Sequence, residues 1–266
     1  MDLELSGRGA LVMGGSRGIG AIIAAAFAGE GASVAIAART PPDLHAVAER
    51  IRSKTREATV FAVTMDVTNA QSVRAGVGEA IGALGRVDIV VNCAVDVVGG
   101  APGAPSEITA EALAEGIDVK VLGALRVIQA ALPTMKERGW GRLISLGGGA
   151  ARQIGSLSAG VRNSGLVAIT KNIASEVGPH GITANVIHPG GVLTERNQSR
   201  LDSLAREEEI SPEEAEAKMA AGVPIGRMIH PEDIASLALF LASPHAAAMT
   251  GQSIAVDGGS GNAIVY

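Results

Sequence analysis

The sequence predicts an α/β fold, one doubly wound parallel sheet of about seven strands flanked by helices on both faces. Three observations carry that expectation. Short apolar runs alternate with helical stretches along the whole chain, and strands joined through crossover helices wind right-handed into one parallel sheet. Hydrophobic residues make up 47% of the sequence but aromatic residues only 2%. The core must therefore come from Ala, Val, Ile and Leu, which suit strands buried on both faces. The chain also opens with a glycine-dense turn, Gly14-Gly15-Ser16-Arg17-Gly18-Ile19-Gly20, between an apolar run and an alanine-rich one. Its 266 residues are within reach of one such unit. No linker, repeat or low-complexity stretch divides them, so residues 1–266 are expected to form a single domain.

The elements follow in order. Residues 10–13 are apolar and read as the first strand, and residues 21–30 as the first helix. Strand two is expected at 33–37, ending at Ala38-Arg39-Thr40, and Pro41-Pro42 starts a helix to about residue 56. Strand three, 59–63, runs into Met65-Asp66-Val67-Thr68 and a helix to about residue 84. Strand four, 87–91, closes on Asn92-Cys93-Ala94. A glycine- and proline-rich loop at 99–105 precedes one long helix over about 109–137. Strand five, 143–146, ends in Gly147-Gly148-Gly149, and a helix over 158–177 leads to strand six, 183–187, stopped by Pro189-Gly190-Gly191. Residues 194–222 are polar and acidic without strand character, and a helix at 231–241 and a strand at 253–256 complete the chain.

Charge and composition exclude several classes. A formal net charge of -5 with no basic stripe argues against nucleic acid as a partner. The short acidic start, Met1-Asp2-Leu3-Glu4-Leu5, is unlike a secretory signal, and apolar runs such as 21–28 and 234–242 are too short to span a bilayer. The one cysteine, Cys93, excludes an internal disulfide and fits a reducing compartment. No His, Cys or Asp spacing suggests a metal site. The expectation is a cytoplasmic protein with no membrane partner.

The glycine turn has the order that a dinucleotide phosphate site needs. Gly14 allows a turn that a Cβ would obstruct, Gly18 lets backbone approach a pyrophosphate, and Gly20 lets the helix pack close to the strand. The helix N-terminus supplies free N–H groups and positive dipole. Ligands of open parallel sheets lie over the carboxyl ends of the strands. That rule gathers the loop, Arg39, Asp66, Asn92, Gly147 to Gly149, and His188 to Thr194 around one crevice.

With these motifs in this order, including the closing Asp257-Gly258-Gly259, the chain resembles the short-chain dehydrogenase/reductase family nearly end to end. The resemblance implies a Rossmann fold binding a nicotinamide dinucleotide, with Gly14, Ser16, Arg17, Gly18, Ile19 and Gly20 at the phosphates. Asp66 and Val67 would face the adenine, Asn92, Cys93 and Ala94 would form the end of strand four, and Pro189, Gly190 and Thr194 would reach toward the carboxamide. Residues 194–222 correspond to the family's substrate lid, and the family's habit of pairing its two long helices implies a homo-oligomer, a tetramer or dimer. Met13 stands where the family usually has threonine, which removes a hydroxyl bond that tightens the turn.

Charge at the ribose sets the cofactor preference. A carboxylate about twenty residues past the glycines would bind a ribose 2′-OH and repel a 2′-phosphate. Here the positions hold Ala38 and Arg39, with Arg17 projecting from the loop, and two guanidiniums suit a phosphate. NADP(H) is expected over NAD(H).

The family's catalytic positions are changed. Alignment through Gly165, Thr170-Lys171 and Glu176 puts Ala159 at the tyrosine position and Asn163 at the lysine position. The serine falls in Gly147-Gly148, and the asparagine appears as Lys120. The only tyrosine is Tyr266, the last residue. Lysine and asparagine thus look exchanged between two helices, so a partly desolvated Lys120 is a candidate acid or oxyanion support, with Asn163 opposite it. The alternative for Lys120 is a lysine that snorkels to the surface or pairs with Asp118.

His188 sits near where the nicotinamide should lie, either as a catalyst or as a hydrogen-bonded structural histidine. Ser156 or Ser158 is a helix N-cap or a water-ordering hydroxyl. Arg162 either binds an anionic substrate or points outward. Cys93 packs as a small buried hydrophobe. The acidic residues 207–209 and 213–214 read as a solvated helix face.

Two functions remain open at this point. The first is an oxidoreductase moving hydride between NADPH and a carbonyl or activated alkene, with a non-standard proton donor. The second is a cofactor-binding, redox-inactive protein that keeps the scaffold.

Overall fold

The computed structural model describes residues 1–55, 58–94, 104–152 and 154–261. Seven parallel strands stand in the order β3-β2-β1-β4-β5-β6-β7: β1 (Gly9–Met13), β2 (Ser33–Ala38), β3 (Val60–Thr64), β4 (Ile89–Asn92), β5 (Gly141–Leu146), β6 (Ile182–Pro189) and β7 (Ser253–Val256). The helices between them are α1 (Gly18–Gly29), α2 (Pro41–Lys54), α3 (Ala70–Leu84), α4 (Ala110–Ile117), α5 (Gly123–Arg138), α6 (Leu157–Val177), α7 (Glu195–Glu207), α8 (Pro212–Met219) and α9 (Pro231–Ala242). Strand order reverses between β1 and β4, the switch point where a ligand crevice opens in sheets of this kind.

Alternation along the strands explains the two-sided core. Val12, Val34, Ile36, Ile89 and Val91 face one layer, packed with Ile23 and Phe27 of α1, Leu44 and Ile51 of α2, and Ile234 and Leu241 of α9. Leu11, Met13, Ala35, Ala37 and Val90 face the other, with Val73 and Val77 of α3, Val127 and Ile128 of α5, and Ile173 and Val177 of α6. Met13 is thus a packing residue, 1% exposed. Few aromatic rings are available, and small side chains let the helices lie close to the sheet. Trp140, the single tryptophan, lies just before β5 at the amino end of the strands. It is sandwiched between Arg8 and Arg142, whose guanidinium carbons lie 3.9 and 4.2 Å from the ring centre, within cation–π range.

The expected alternation holds, and strand β7 has the expected bounds. The long helix over 109–137 does not form as one piece. Residues Asp118–Leu122 make a π-helical turn between α4 and α5, in which the Gly123 N–H reaches back to the Asp118 carbonyl. Arg126 anchors the widened turn by donating to the Asp118 carboxylate at 2.7 Å and the Val67 carbonyl at 3.0 Å. Gly123 is required there, since a Cβ would come 2.9 Å from Val67 Cβ. The polar stretch after residue 194 folds into α7 and α8, with residues 207–209 and 213–214 exposed as expected. Residues 99–103 of the expected loop, and Tyr266, lie outside the described residues.

Candidate functional site

A cleft of about 670 Å³ runs across the carboxyl ends of the strands. Its floor is the turn after β1. Gly14 sits at φ +70, and a Cβ on it would come 2.9 Å from the Ala94 nitrogen; one on Gly20 would come 2.3 Å from the Gly14 carbonyl oxygen. Gly18 lies at φ +54, a left-handed conformation that glycine adopts without strain. The Gly14 N–H donates to the Ala37 carbonyl at 2.8 Å, tying the turn to β2. Helix α1 begins at Gly18, with Arg17 at the N-cap making no side-chain cap and no acidic residue in the first turn, which leaves an N-terminus suited to an anion.

Gly14, Ser16, Arg17, Gly18, Ile19 and Gly20 all line the cleft, as do Arg39, Asp66, Val67, Cys93, Ala94, Lys120, Pro189 and Thr194. Arg17 and Arg39 are exposed at its rim. Asp66 is held by its own turn, accepting the Thr68 N–H at 3.0 Å and the Thr68 hydroxyl at 2.8 Å, and those bonds hold its carboxyl below the usual range. Burial pushes the Cys93 thiol up to about 12, with the charge of Lys120 a smaller opposing influence, which favours the thiol over the thiolate.

Four expected residues stand behind the cleft wall. Asn92 donates to Ser145 Oγ at 3.3 Å, bracing β4 against β5. Gly190 packs on β7, where a Cβ would come 2.7 Å from Asp257 Cα. Asn163, on α6, donates to the Gly148 carbonyl at 3.4 Å, leaving its buried Oδ1 without a hydrogen-bond partner. His188 is buried, with Nε2 2.8 Å from Ser253 Oγ and Nδ1 2.9 Å from the Gly148 carbonyl oxygen and 3.0 Å from its nitrogen. With Nδ1 unprotonated the ring accepts the Gly148 N–H there and donates to Ser253 from Nε2; with Nδ1 protonated it donates to the Gly148 carbonyl. Burial depresses its protonation. His188 thus stands behind the cleft wall, bound to the Gly148 backbone and Ser253.

Lys120 is the polar centre of the inner end. The π turn swings it inward to 8% exposure, where Nζ donates to the Gly147 carbonyl at 2.9 Å. Burial, then the charge of Arg162, pulls it down to about 7. Lys120 and Asn163 therefore grip consecutive carbonyls of the turn after β5. The turn is glycine because its neighbours leave no room: a Cβ on Gly147 would lie 2.5 Å from the His188 ring, and one on Gly148 2.8 Å from Asn163 Nδ2.

Sequence reasoning left Arg162 undecided; it is 7% exposed and lines the cleft. Its signal was the spacing with Ser158, also buried, one turn earlier on the same face of α6. Ser156 is the helix cap, accepting the Ala159 N–H at 3.3 Å. Glu195, not foreseen, stands in the first turn of α7, with Oε2 3.8 Å from where a Gly18 Cβ would lie. Among the described residues, no group of three or more His, Cys, Asp or Glu is placed to hold a metal, and no helix is long and apolar enough to cross a membrane.

The family model described as enoyl-(acyl carrier protein) reductase matches residues 14–261. The chain belongs to the short-chain dehydrogenase/reductase family. It is 34% identical to the NADPH-dependent reductase BacG of Bacillus subtilis over 96% of this chain and 98% of that protein. Among solved structures, L-sorbose reductase from Gluconobacter frateurii, complexed with NADPH and L-sorbose, superposes with a TM-score of 0.89 at 29% identity, over 99% of this chain and 100% of the other. A 7α-hydroxysteroid dehydrogenase complexed with NADH and 7-oxo glycochenodeoxycholic acid superposes with a TM-score of 0.84 at 32% identity, over 97% and 96%. These relatives favour the oxidoreductase reading over the redox-inactive one. The chain is a short-chain dehydrogenase/reductase-type oxidoreductase.

Proposed function

We propose that this chain reduces a carbonyl or activated alkene with NADPH, and that it is a divergent member in which Lys120 gives the proton that the family's tyrosine gives elsewhere. The observation that carries the reading is Lys120 itself: buried at the inner end of the cleft, hydrogen-bonded to Gly147, and brought to about 7, where an acid is matched to neutral pH. Gly147-Gly148, Ala159, Asn163 and Lys120 stand at the family's serine, tyrosine, lysine and asparagine positions. Asn163 and His188 hold the Gly147–Gly148 turn, and through it the acceptor that aims Lys120 Nζ.

The residues present fit a nicotinamide dinucleotide. The glycine floor leaves a cradle that a Cβ would fill, the uncapped α1 N-terminus suits a pyrophosphate, and Arg17 and Arg39 suit a 2′-phosphate. Asp66 and Val67 would border the adenine, and Pro189 and Thr194 the carboxamide. Bound there, the dinucleotide supplies the hydride. Lys120 donates its proton to the atom that gains negative charge. In BacG and L-sorbose reductase the named cofactor is NADPH, whereas the 7α-hydroxysteroid dehydrogenase holds NADH, so the arginines carry the preference. Residues 194–222, with α7 and α8, form the substrate lid of a single domain over 1–266. The lone Cys93 suits the reducing cytoplasm.

Calorimetric titration with NADPH and NADH tests the cofactor reading. NADPH should bind the more tightly, and Arg39→Ala should weaken NADPH by about tenfold or more, the worth of one charge-assisted bond, while leaving NADH nearly unchanged. Equal affinities in the wild type would overturn the preference. The chain should also assemble as a homo-oligomer through α5 and α6; a clean monomer by light scattering would refute that.

A further inference from the structure

Lys120 is set apart from every other lysine by where its amine lies. The chain has five lysines. Lys54 and Lys171 are exposed, and Lys136 and Lys218 are paired with Glu176 and Glu208. Lys120 lines the cleft and is 8% exposed. Among the described residues its one hydrogen-bond partner is the Gly147 carbonyl, at 2.9 Å. An ammonium has three N–H groups to place, so a single protein acceptor suits the neutral amine, whose lone pair is left for a ligand in the cleft. Among the described residues no carboxylate offsets the charge. Asp43, Asp66 and Glu195 line the cleft but are not among the groups whose charge is felt at Lys120. A lysine desolvated in this way becomes a nucleophile toward carbonyl carbon.

We propose that Lys120 is a covalent capture site for small aldehydes, which its amine binds as a Schiff base at the inner end of the cleft. The inference goes beyond the reductase reading and needs no dinucleotide. The Nζ lone pair adds to the aldehyde carbon while one amine proton passes to the former carbonyl oxygen, giving a carbinolamine. That oxygen takes a second proton and leaves as water, and the carbon–nitrogen bond becomes double. An aldehyde and an ammonium thus give an iminium cation and one water, with nothing oxidised or reduced. Burial brings Lys120 to about 7, so amine to attack and ammonium to supply the proton coexist at neutral pH. The Gly147 carbonyl that holds Nζ also suits the N–H of the iminium. Little room is left around a side chain so buried, which favours an aldehyde, with one hydrogen on its reacting carbon, over a ketone. An aldehyde held in this way takes Lys120 out of proton donation.

The test uses butanal, with butanone as its ketone counterpart, and sodium cyanoborohydride to fix the iminium as a secondary amine. The full chain is treated near neutral pH without dinucleotide, and the labels are located by mass spectrometry of the intact protein and of its peptides. Lys120 should gain one butyl group about tenfold or more faster than any of the other four lysines. Butanone should label it several-fold more slowly. The guanidinium-unfolded chain should lose the selectivity, and Lys120→Met should leave the other four lysines labelled as before. The wild-type peptide map decides alone should that variant not fold. A Lys120 that stays unlabelled in the folded chain, or is labelled no faster than the exposed lysines, would overturn the capture site. Equal labelling by butanone would overturn the aldehyde class. Since no dinucleotide is present, failure of NADPH to bind would overturn the reductase reading and leave this inference in place.

Discussion

Replacing Lys120 with methionine keeps a long unbranched side chain in the π turn and removes the ammonium, so it separates the residue's chemistry from its packing. A lysine brought from 10.5 to about 7 binds fewer protons in the folded chain than in the unfolded one across that window. Stability therefore rises as pH climbs from about 7 to 10.5, and the cost of the buried charge is fully present below 7. At about 1.4 kcal/mol per unit, the wild type should gain on the order of 4 kcal/mol between neutral pH and pH 10.5. Lys120→Met has no such gain, and the lost hydrogen bond to Gly147 costs it about 1 to 3 kcal/mol. The variant should thus be as stable as the wild type or more so at pH 7, and less stable at pH 10. Urea unfolding of both proteins at pH 7, 8.5 and 10 reads the difference, in which groups common to both cancel. The same variant should lose NADPH-dependent turnover while still binding NADPH. A stability difference that stays flat from pH 7 to pH 10, or turnover that survives, would refute the assignment of Lys120.

Two further perturbations probe the supports around it. Gly123→Ala should cost about 1 to 3 kcal/mol, as overpacking does, because its Cβ would press on Val67; turnover should fall with it, while an unchanged urea midpoint would count against the tight π turn. His188 is depressed by burial first, with Gly148 opposing and Arg152 and Lys120 adding to the effect. Its contribution to stability should therefore be complete above pH 6.5 and fade as pH falls below that value. His188→Asn should flatten the dependence between pH 7.5 and 5.5, and an equally steep loss in the variant would assign the acid sensitivity elsewhere.

The frame of this protein was legible in its sequence because it follows from local patterns. Strand-like runs such as Leu11-Val12-Met13 and Ile89-Val90-Val91 are continuous apolar segments that only a sheet covered on both faces can hide, and the Gly14–Gly20 spacing has few other uses. Lys120 and Asn163 were singled out because the family resemblance implies that two residue types stand exchanged; in the structure they donate to the consecutive carbonyls of Gly147 and Gly148. The π turn was not legible. It is accompanied by long-range contacts, Gly123 close against Val67 and Arg126 joining Val67 to Asp118, of which the helical periodicity of 109–137 carries no trace. His188 and Gly190 were assigned to the cleft by chain position alone. In the structure His188 binds Ser253 of β7 and the Gly148 backbone, and Gly190 packs against Asp257 just past β7. Arg162 stayed undecided because its direction depends on the missing Cβ of Gly116, a helix away.

The near absence of aromatic rings has a practical side at the bench. No aromatic side chain lines the cleft among its described residues, and the lone Trp140 is clasped by two arginines at the amino ends of the strands, away from the cleft. Its emission is therefore a gauge of whether Arg8, Arg142 and the sheet remain assembled. Among the described residues, a reduced dinucleotide seated in the cleft would meet aliphatic and charged side chains and no aromatic one. Folding and occupancy can thus be followed in one cuvette by two dyes, one of them native to the chain and one brought by the ligand.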